Sequence, residues 1–455
     1  MLANQISLED WKSTSANHAL LESFRCPEEL CSLELASELS RGPGYFRFGE
    51  DTICYGRCLG QPATNPAGTL HDLSPDVRIE GSTAILPFDP AETIANLRFE
   101  RYAAGSAGPG DGVLSSTYYW ARPFMPVWFR RHLQRLRLRG SRDVGFPHWP
   151  VDWTVERIQE TLLSIAIKAR GGEEVPFVWF WPQGLPSCAI MTHDVEAQAG
   201  LDFCPALMDI DDSFGIKSSF QIVPEERYSV TGRLLNRIQD RGFEVNVHDL
   251  NHDGHLYSER GEFLRRARKI NQYGRQYGAK GFRSGALYRN LNWYDALEFD
   301  YDMSVPNAGH LEAQGGGCCT IRPYFINQMV ELPVTTTQDY SLFHILGDYS
   351  IELWKQEIES IMERHGMISF IIHPDYLRDK KAQETYRSLL RYLAQLRDEG
   401  KIWIALPSEV ADWWRQRSQM TLRRESGSWQ VAGASQGRAR VAHACADGQQ
   451  VSYRI

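Results

Sequence analysis

From about residue 174 onward, short apolar runs alternate with amphipathic stretches of helix length, and no other feature limits the fold so sharply. Strands that alternate with helices build an α/β domain around a largely parallel sheet or barrel. The runs predict strands at 188–194, 217–223, 243–248, 301–305, 329–333, 367–373 and 401–406. The amphipathic stretches predict helices at 231–241, 259–276, 351–364, 382–399 and 408–417. In folds of this class, reactive groups collect at the carboxyl ends of the strands.

At 455 residues the chain has room for two or three domains. Its pattern suggests a mixed α+β N-terminal domain over 1–150, a connecting helix and aromatic linker over 151–185, the α/β domain over 186–417 and a small β appendage over 418–455. In the first of these, GYFRFGEDTICYG reads as short strands and VRIEGSTAILPF as a hairpin. Asp89 then caps a helix, with Pro90 at its first position and Glu92 at its third. Ser7-Leu8-Glu9-Asp10 has the pattern of another capped helix start, and residues 103–112 that of a flexible loop. The basic segment 125–139 suits a solvated helix face, or contact with an anionic glycan or membrane surface. SWQVAGA, ARVAHACA and VSYRI near the end read as three short strands.

Composition narrows the classes. Hydrophobic residues at 42% and charged residues at 23% exclude global disorder. A net charge of −8 argues against a generic electrostatic binder of nucleic acid. No apolar run approaches membrane-span length, and the first residues show no basic region followed by an apolar one. The expectation is a cytoplasmic protein with no membrane span. Nine cysteines, odd in number and irregular in spacing, fit a reduced compartment better than a disulfide framework. Cys54 and Cys58 have the spacing of half a metal site, but no second pair accompanies them.

Eight of the 13 histidines fall between 193 and 373, and the polar groups there sit at strand ends. Asp194 and Glu196 close the first strand, in THDVE. If that strand stays extended, Thr192, Asp194 and Glu196 share one face, with His193 and Val195 on the other. Two carboxylates so placed can divide labour between a metal and a proton, or form an ordinary hydrogen-bonded pair. His248 and His252 end the third strand on a turn or short helix, in HDLNH, a spacing suited to a metal. Arg283 follows a short run in GFRSGALY, and His373 ends a late strand in FIIHP. A lone strand-end histidine is often structural; opposite a metal it is a general acid. Trp179 and Trp181 suit either an aromatic lip for a sugar or core packing, and Asp302 and Asp339 are candidates for pocket walls.

Taken in order, THDVE, HDLNH, GFRSGALY, WYDALEFDYDMSVPN and FIIHP resemble the motif series of the polysaccharide deacetylases, the NodB-homology fold of carbohydrate esterase family four. The resemblance covers about half the chain. It implies a distorted (β/α) barrel of NodB-homology type and a metal-dependent hydrolase that removes N-linked acetyl groups. In the family's first motif, Thr-Phe-Asp-Asp, the first Asp is the base and the second a metal ligand. Asp194 matches the base, but Val195 stands where the metal ligand belongs, and Glu196 is expected to take over that role. The implied site is then a divalent metal, zinc by expectation, on His248, His252 and Glu196, with Asp194, Arg283 and His373 as catalytic groups. Arg283 keeps Asp194 ionised and His373 protonates the leaving nitrogen. The implied partner is an N-acetylated glycan or amino-sugar substrate. Asp249 after the first His, and Ser284-Gly285 after the Arg, depart from the family's Ser/Thr and Pro. Hydrolysis of another linear C–N bond and a non-catalytic glycan binder with a decayed metal site are the rival readings.

Overall fold

The computed structural model describes residues 16–103, 146–447 and 450–455. The helix start at Ser7, nearly all of the loop at 103–112 and the basic segment at 125–139 lie outside the described residues. Two units emerge: Ala103–Val151 with Ser187–Ala411, and Met1–Tyr102 with Asp152–Pro186 and Asp412–Ile455.

The first of these units is the α/β one. Its strands are β1 (Ser187–Val195), β2 (Ser219–Ile222), β3 (Glu244–His248), β4 (Gly281–Arg283), β5 (Tyr301–Asp302), β6 (Tyr324–Ile326), β7 (Met329–Glu331), β8 (Met367–Ile372) and β9 (Ile402–Ile404). They form one sheet in the order β6-β7-β5-β4-β3-β2-β1-β8, with β9 also paired to β1. Every pairing is parallel except that of β6 with β7. All nine residues of β1 are buried, as expected of a central strand covered on both faces.

The ends of the sheet are joined by other bonds. Thr335 Oγ1 donates to the Met367 carbonyl at 2.8 Å and accepts from Ser369 N–H at 2.9 Å. Met367 N–H donates to the Ile321 carbonyl at 2.7 Å. Loop backbone and threonine side chains thus cover the seam that a closed barrel would fill with a ladder. The result is a distorted (β/α) barrel.

Helices α1 (Gln198–Ser213), α2 (Gly232–Asp240), α3 (Arg260–Tyr277), α4 (Glu352–Glu363) and α5 (Lys380–Asp398) connect these strands. Local chemistry fixes their ends. The Asp379 carboxylate accepts from Lys381 and Ala382 N–H to start α5, and Gly278 in the left-handed region stops α3. Helix α1 was not expected, because Pro205 lies inside it and proline ordinarily ends a helical pattern.

In the second unit, Arg78–Glu80 and Thr83–Leu86 form the expected hairpin, and Gly44–Arg47 pairs with Ile53–Gly56. The Asp89 carboxylate accepts from Glu92 N–H, as its capping position requires. Val175–Val178 pairs with Val441–Asp447, which pairs in turn with Gln450–Arg454. Trp179 and Trp181 are buried here, Trp179 against Phe177, Phe180 and Tyr453, and Trp181 against Trp414. They are core residues and form no sugar-stacking lip. Cys54 and Cys58 are buried free thiols and join no candidate metal cluster among the described residues. No helix among those residues is long and apolar enough to cross a membrane.

Candidate active site

The site begins with the pleat of β1. Thr192 and Asp194 face one side, where Arg283 Nη1 donates to Thr192 Oγ1 and to Asp194 Oδ1, each at 2.7 Å. His193 faces the other side and meets Asp211 at 3.1 Å, where Ser218 and Tyr386 also donate. Arg283 is fully buried, and its Nε donates to the Met303 carbonyl at 2.9 Å. That bond orients the guanidinium before Asp194 is reached. Burial pushes the Asp194 carboxyl up, but the Arg283 charge beside it brings it below its usual value.

Parallel pairing places His248 in register with Arg283, so both arrive at the same end of the sheet. His248 Nδ1 lies 3.1 Å from the Arg283 carbonyl. With a proton on Nδ1 for that bond, Nε2 keeps its lone pair. The chain then turns, with Asp249 and His252 both in the left-handed region. His252 is therefore carried on a turn and not on a helix. Arg227 Nε donates to the Asn251 carbonyl at 3.1 Å and secures that turn.

Glu196 stands just beyond the end of β1. Its Oε1 is 2.8 Å from His252 Nε2, 3.5 Å from His248 Nε2 and 3.5 Å from His373 Nε2. Glu196, His248 and His252 offer ligand atoms within 4.8 Å of one another, as do Asp194, Glu196 and His373. His252 Nε2 is buried and makes no aligned hydrogen bond, in spite of its short distance to Glu196. Ligand atoms around a tetrahedral zinc lie about 3.3 Å apart, given bonds of about 2.0 Å. The two nitrogen-to-oxygen distances of this set bracket that value. Two imidazoles and a carboxylate with an orphaned, converging nitrogen fit a divalent metal.

His373 lies across from this set. Its Nδ1 is 2.7 Å from Asp339 Oδ1, and its backbone N–H donates to Asp339 Oδ2 at 2.7 Å. One buried carboxylate thus fixes both the ring and the chain that carries it. Burial pushes the imidazole down, but Asp339 and Glu196 hold it well above its usual value. The Tyr376 ring covers it, with centroids 4.9 Å apart.

The structure brings Asp194, Glu196, His248, His252, Arg283 and His373 together, as the sequence suggested. It places Asp339 behind His373, fully buried. Asp302 is also fully buried and shares its surroundings with Glu331. Burial pushes both of those carboxyls up. The partners missed from sequence are Asp339 in this role, Tyr376 and Arg227. Only Tyr376 sits beside a motif in the chain, two residues past FIIHP, and it carries no spacing signal of its own.

No protein-family model matches the chain, and no curated protein sequence matches it. Solved structures do. A polysaccharide deacetylase from Mycobacterium smegmatis shares 18% identity, with a TM-score of 0.42, over 52% of this chain and 93% of its own. The Puue allantoinase shares 10%, with a TM-score of 0.41, over 52% and 92%. A family 4 acetyl xylan esterase from Clostridium thermocellum, solved with a cobalt ion, shares 12%, with a TM-score of 0.31, over 50% and 91%. Each of these matches covers about half of this chain.

Proposed function

We propose that this chain is a metal-dependent hydrolase that removes N-linked acetyl groups from an amino-sugar-containing polysaccharide or its precursor. One observation carries the reading. Glu196 Oε1 lies within 3.5 Å of three imidazole nitrogens, beside an Asp194 pinned by a buried Arg283. A structural ion pair has no need of three histidines around one oxygen.

His248, His252 and Glu196 would hold the metal, and zinc suits a set of two nitrogens and one oxygen. When bound, the ion supplies Lewis acidity at the amide oxygen and a water of lowered pKa. Asp194, kept ionised by Arg283, takes the proton from the water as it attacks the acetamide carbon. Arg283 and Thr192 keep the accepting carboxylate in place. His373, oriented by Asp339, gives a proton to the departing nitrogen. The C–N bond breaks, and acetate and a free amino sugar leave.

Hydrolysis of another linear C–N bond is the second reading. Asp249 and Ser284-Gly285 favour it, because they alter the wall beside His252. Acetate release from N-acetylated oligosaccharides tests the first reading against it. Release by the wild-type protein, lost in a His248→Ala/His252→Ala variant that stays folded, supports deacetylation. Turnover of a non-acetyl amide with no acetate from any N-acetylated sugar would favour the second.

A further inference from the structure

The ladder between β1 and β2 ends differently from three others in the sheet. At β4–β5, β5–β7 and β3–β4 the last rung at the carboxyl end is a direct backbone bond. Met303 N–H donates to the Phe282 carbonyl at 3.0 Å, Leu332 to Asp302 at 2.9 Å and Asp249 to Arg283 at 2.8 Å. Val195 is in register with Ile222. The equivalent rung there would run from Val223 N–H to the Val195 carbonyl, following the slanted pattern of a parallel pair.

A side chain occupies that rung instead. The Tyr228 hydroxyl accepts from Val223 N–H at 2.8 Å and donates to the Val195 carbonyl at 2.5 Å. Two bonds in series hold the strand ends farther apart than the ~2.9 Å of a direct one. The next residue of the β2 chain, Pro224, has no N–H to offer, so the ladder ends there. Burial holds the Tyr228 phenol well above its usual value, so it remains a donor.

Val195 lies between Asp194 and Glu196, and its carbonyl is the last backbone group of β1. A valine offers no ligand, so the carboxylate that meets the histidines arrives one residue later, past the end of the strand. No ladder register holds a residue in that position. We infer that Tyr228 is a positioning residue for Glu196. Its hydroxyl, wedged into the last rung, sets where the chain leaves β1 and so where the Glu196 carboxylate meets the imidazoles. Arg283 does the corresponding work for Asp194 from the side chain; Tyr228 does it for Glu196 through the backbone. The inference rests on the metal-site reading above.

The test is a zinc titration of the metal-free full-length protein by competition with a chelating dye, with cobalt absorption spectra recorded in parallel. Tyr228→Phe keeps the ring and removes both hydrogen bonds. The expected result is zinc affinity weaker by about 10–100-fold, the usual cost of losing support to a ligand, with altered cobalt bands and near-native melting. Tyr273→Phe is the control. Its hydroxyl donates to Glu225 at 3.2 Å and touches no ladder, so its affinity stays that of wild type. Unchanged zinc affinity and cobalt bands in Tyr228→Phe would overturn the inference. Loss of the fold in both Tyr228→Phe and Tyr228→Met would overturn it too, because the hydroxyl would then be structural. A wild-type protein that binds no zinc fails at an earlier step and removes the metal-site reading itself.

Discussion

Gly285 shows how closely the residues of the proposed metal site are packed. A Cβ there would lie 2.5 Å from Asp249 Oδ2 and 3.0 Å from His252 Cδ2. The absent side chain makes room for the two residues that follow β3. Gly285→Ala is expected to push the His252 ring off its position and weaken zinc binding by at least about tenfold. The same titration checks it, and an unchanged affinity would mean that His252 is not a ligand. Asp194 separates binding from chemistry. Asp194→Asn should keep the metal and lower the rate by about 10²–10⁴, the usual contribution of a proton-transfer group. Loss of metal in that variant would make Asp194 a ligand instead of a base.

At the scale of elements, seven of the nine strands of the sheet were legible, because buried parallel strands read as continuous apolar runs; β4 and β6, three residues each, were not. Helix α1 was not, since Pro205 contradicts the local pattern and tertiary packing decides the matter. The site residues could be read because each closes a strand or follows one within a few residues, and strand ends in one sheet converge. Asp339 could not be read as the partner of His373, because they are separated by 34 positions and meet through the sheet alone. Trp179 and Trp181 proved to be core residues, one of the two roles open to them in the sequence, where an aromatic pair looks alike in a lip and in a core.

Helix α4 carries a testable charge. Its buried Glu357 accepts from Thr337 N–H and Oγ1, yet burial pushes its carboxyl up to about 8. The folded state then holds a proton that the unfolded chain releases above its usual carboxylate value. Stability on this account falls as pH rises from about 4.5 to about 8. Glu357→Gln should flatten the melting temperature over that range, with the slope that remains coming from the other buried carboxyls that burial pushes up, Glu312, Asp302 and Glu331 among them. An unchanged slope would mean that Glu357 is ionised in the fold.

In the whole molecule, each unit has its own buried polar anchor. Arg283 anchors the barrel. In the other unit Arg417 is fully buried and donates to the carbonyls of Trp179, Val178 and Ser23 at 2.9, 2.6 and 2.8 Å. Arg417→Met leaves three buried acceptors without that donor and should cost about 2–4 kcal/mol, read from urea unfolding. A loss under about 0.5 kcal/mol would mean that water replaces the guanidinium.

The central claim is that His248, His252 and Glu196 form a metal site. Metal content of the purified protein, measured by mass spectrometry beside the His248→Ala/His252→Ala variant, tests it most directly. The account predicts about one equivalent of zinc or a similar divalent ion per chain in the wild type, absent from the folded variant. A wild-type protein that takes up no metal, even when reconstituted with zinc, would contradict it.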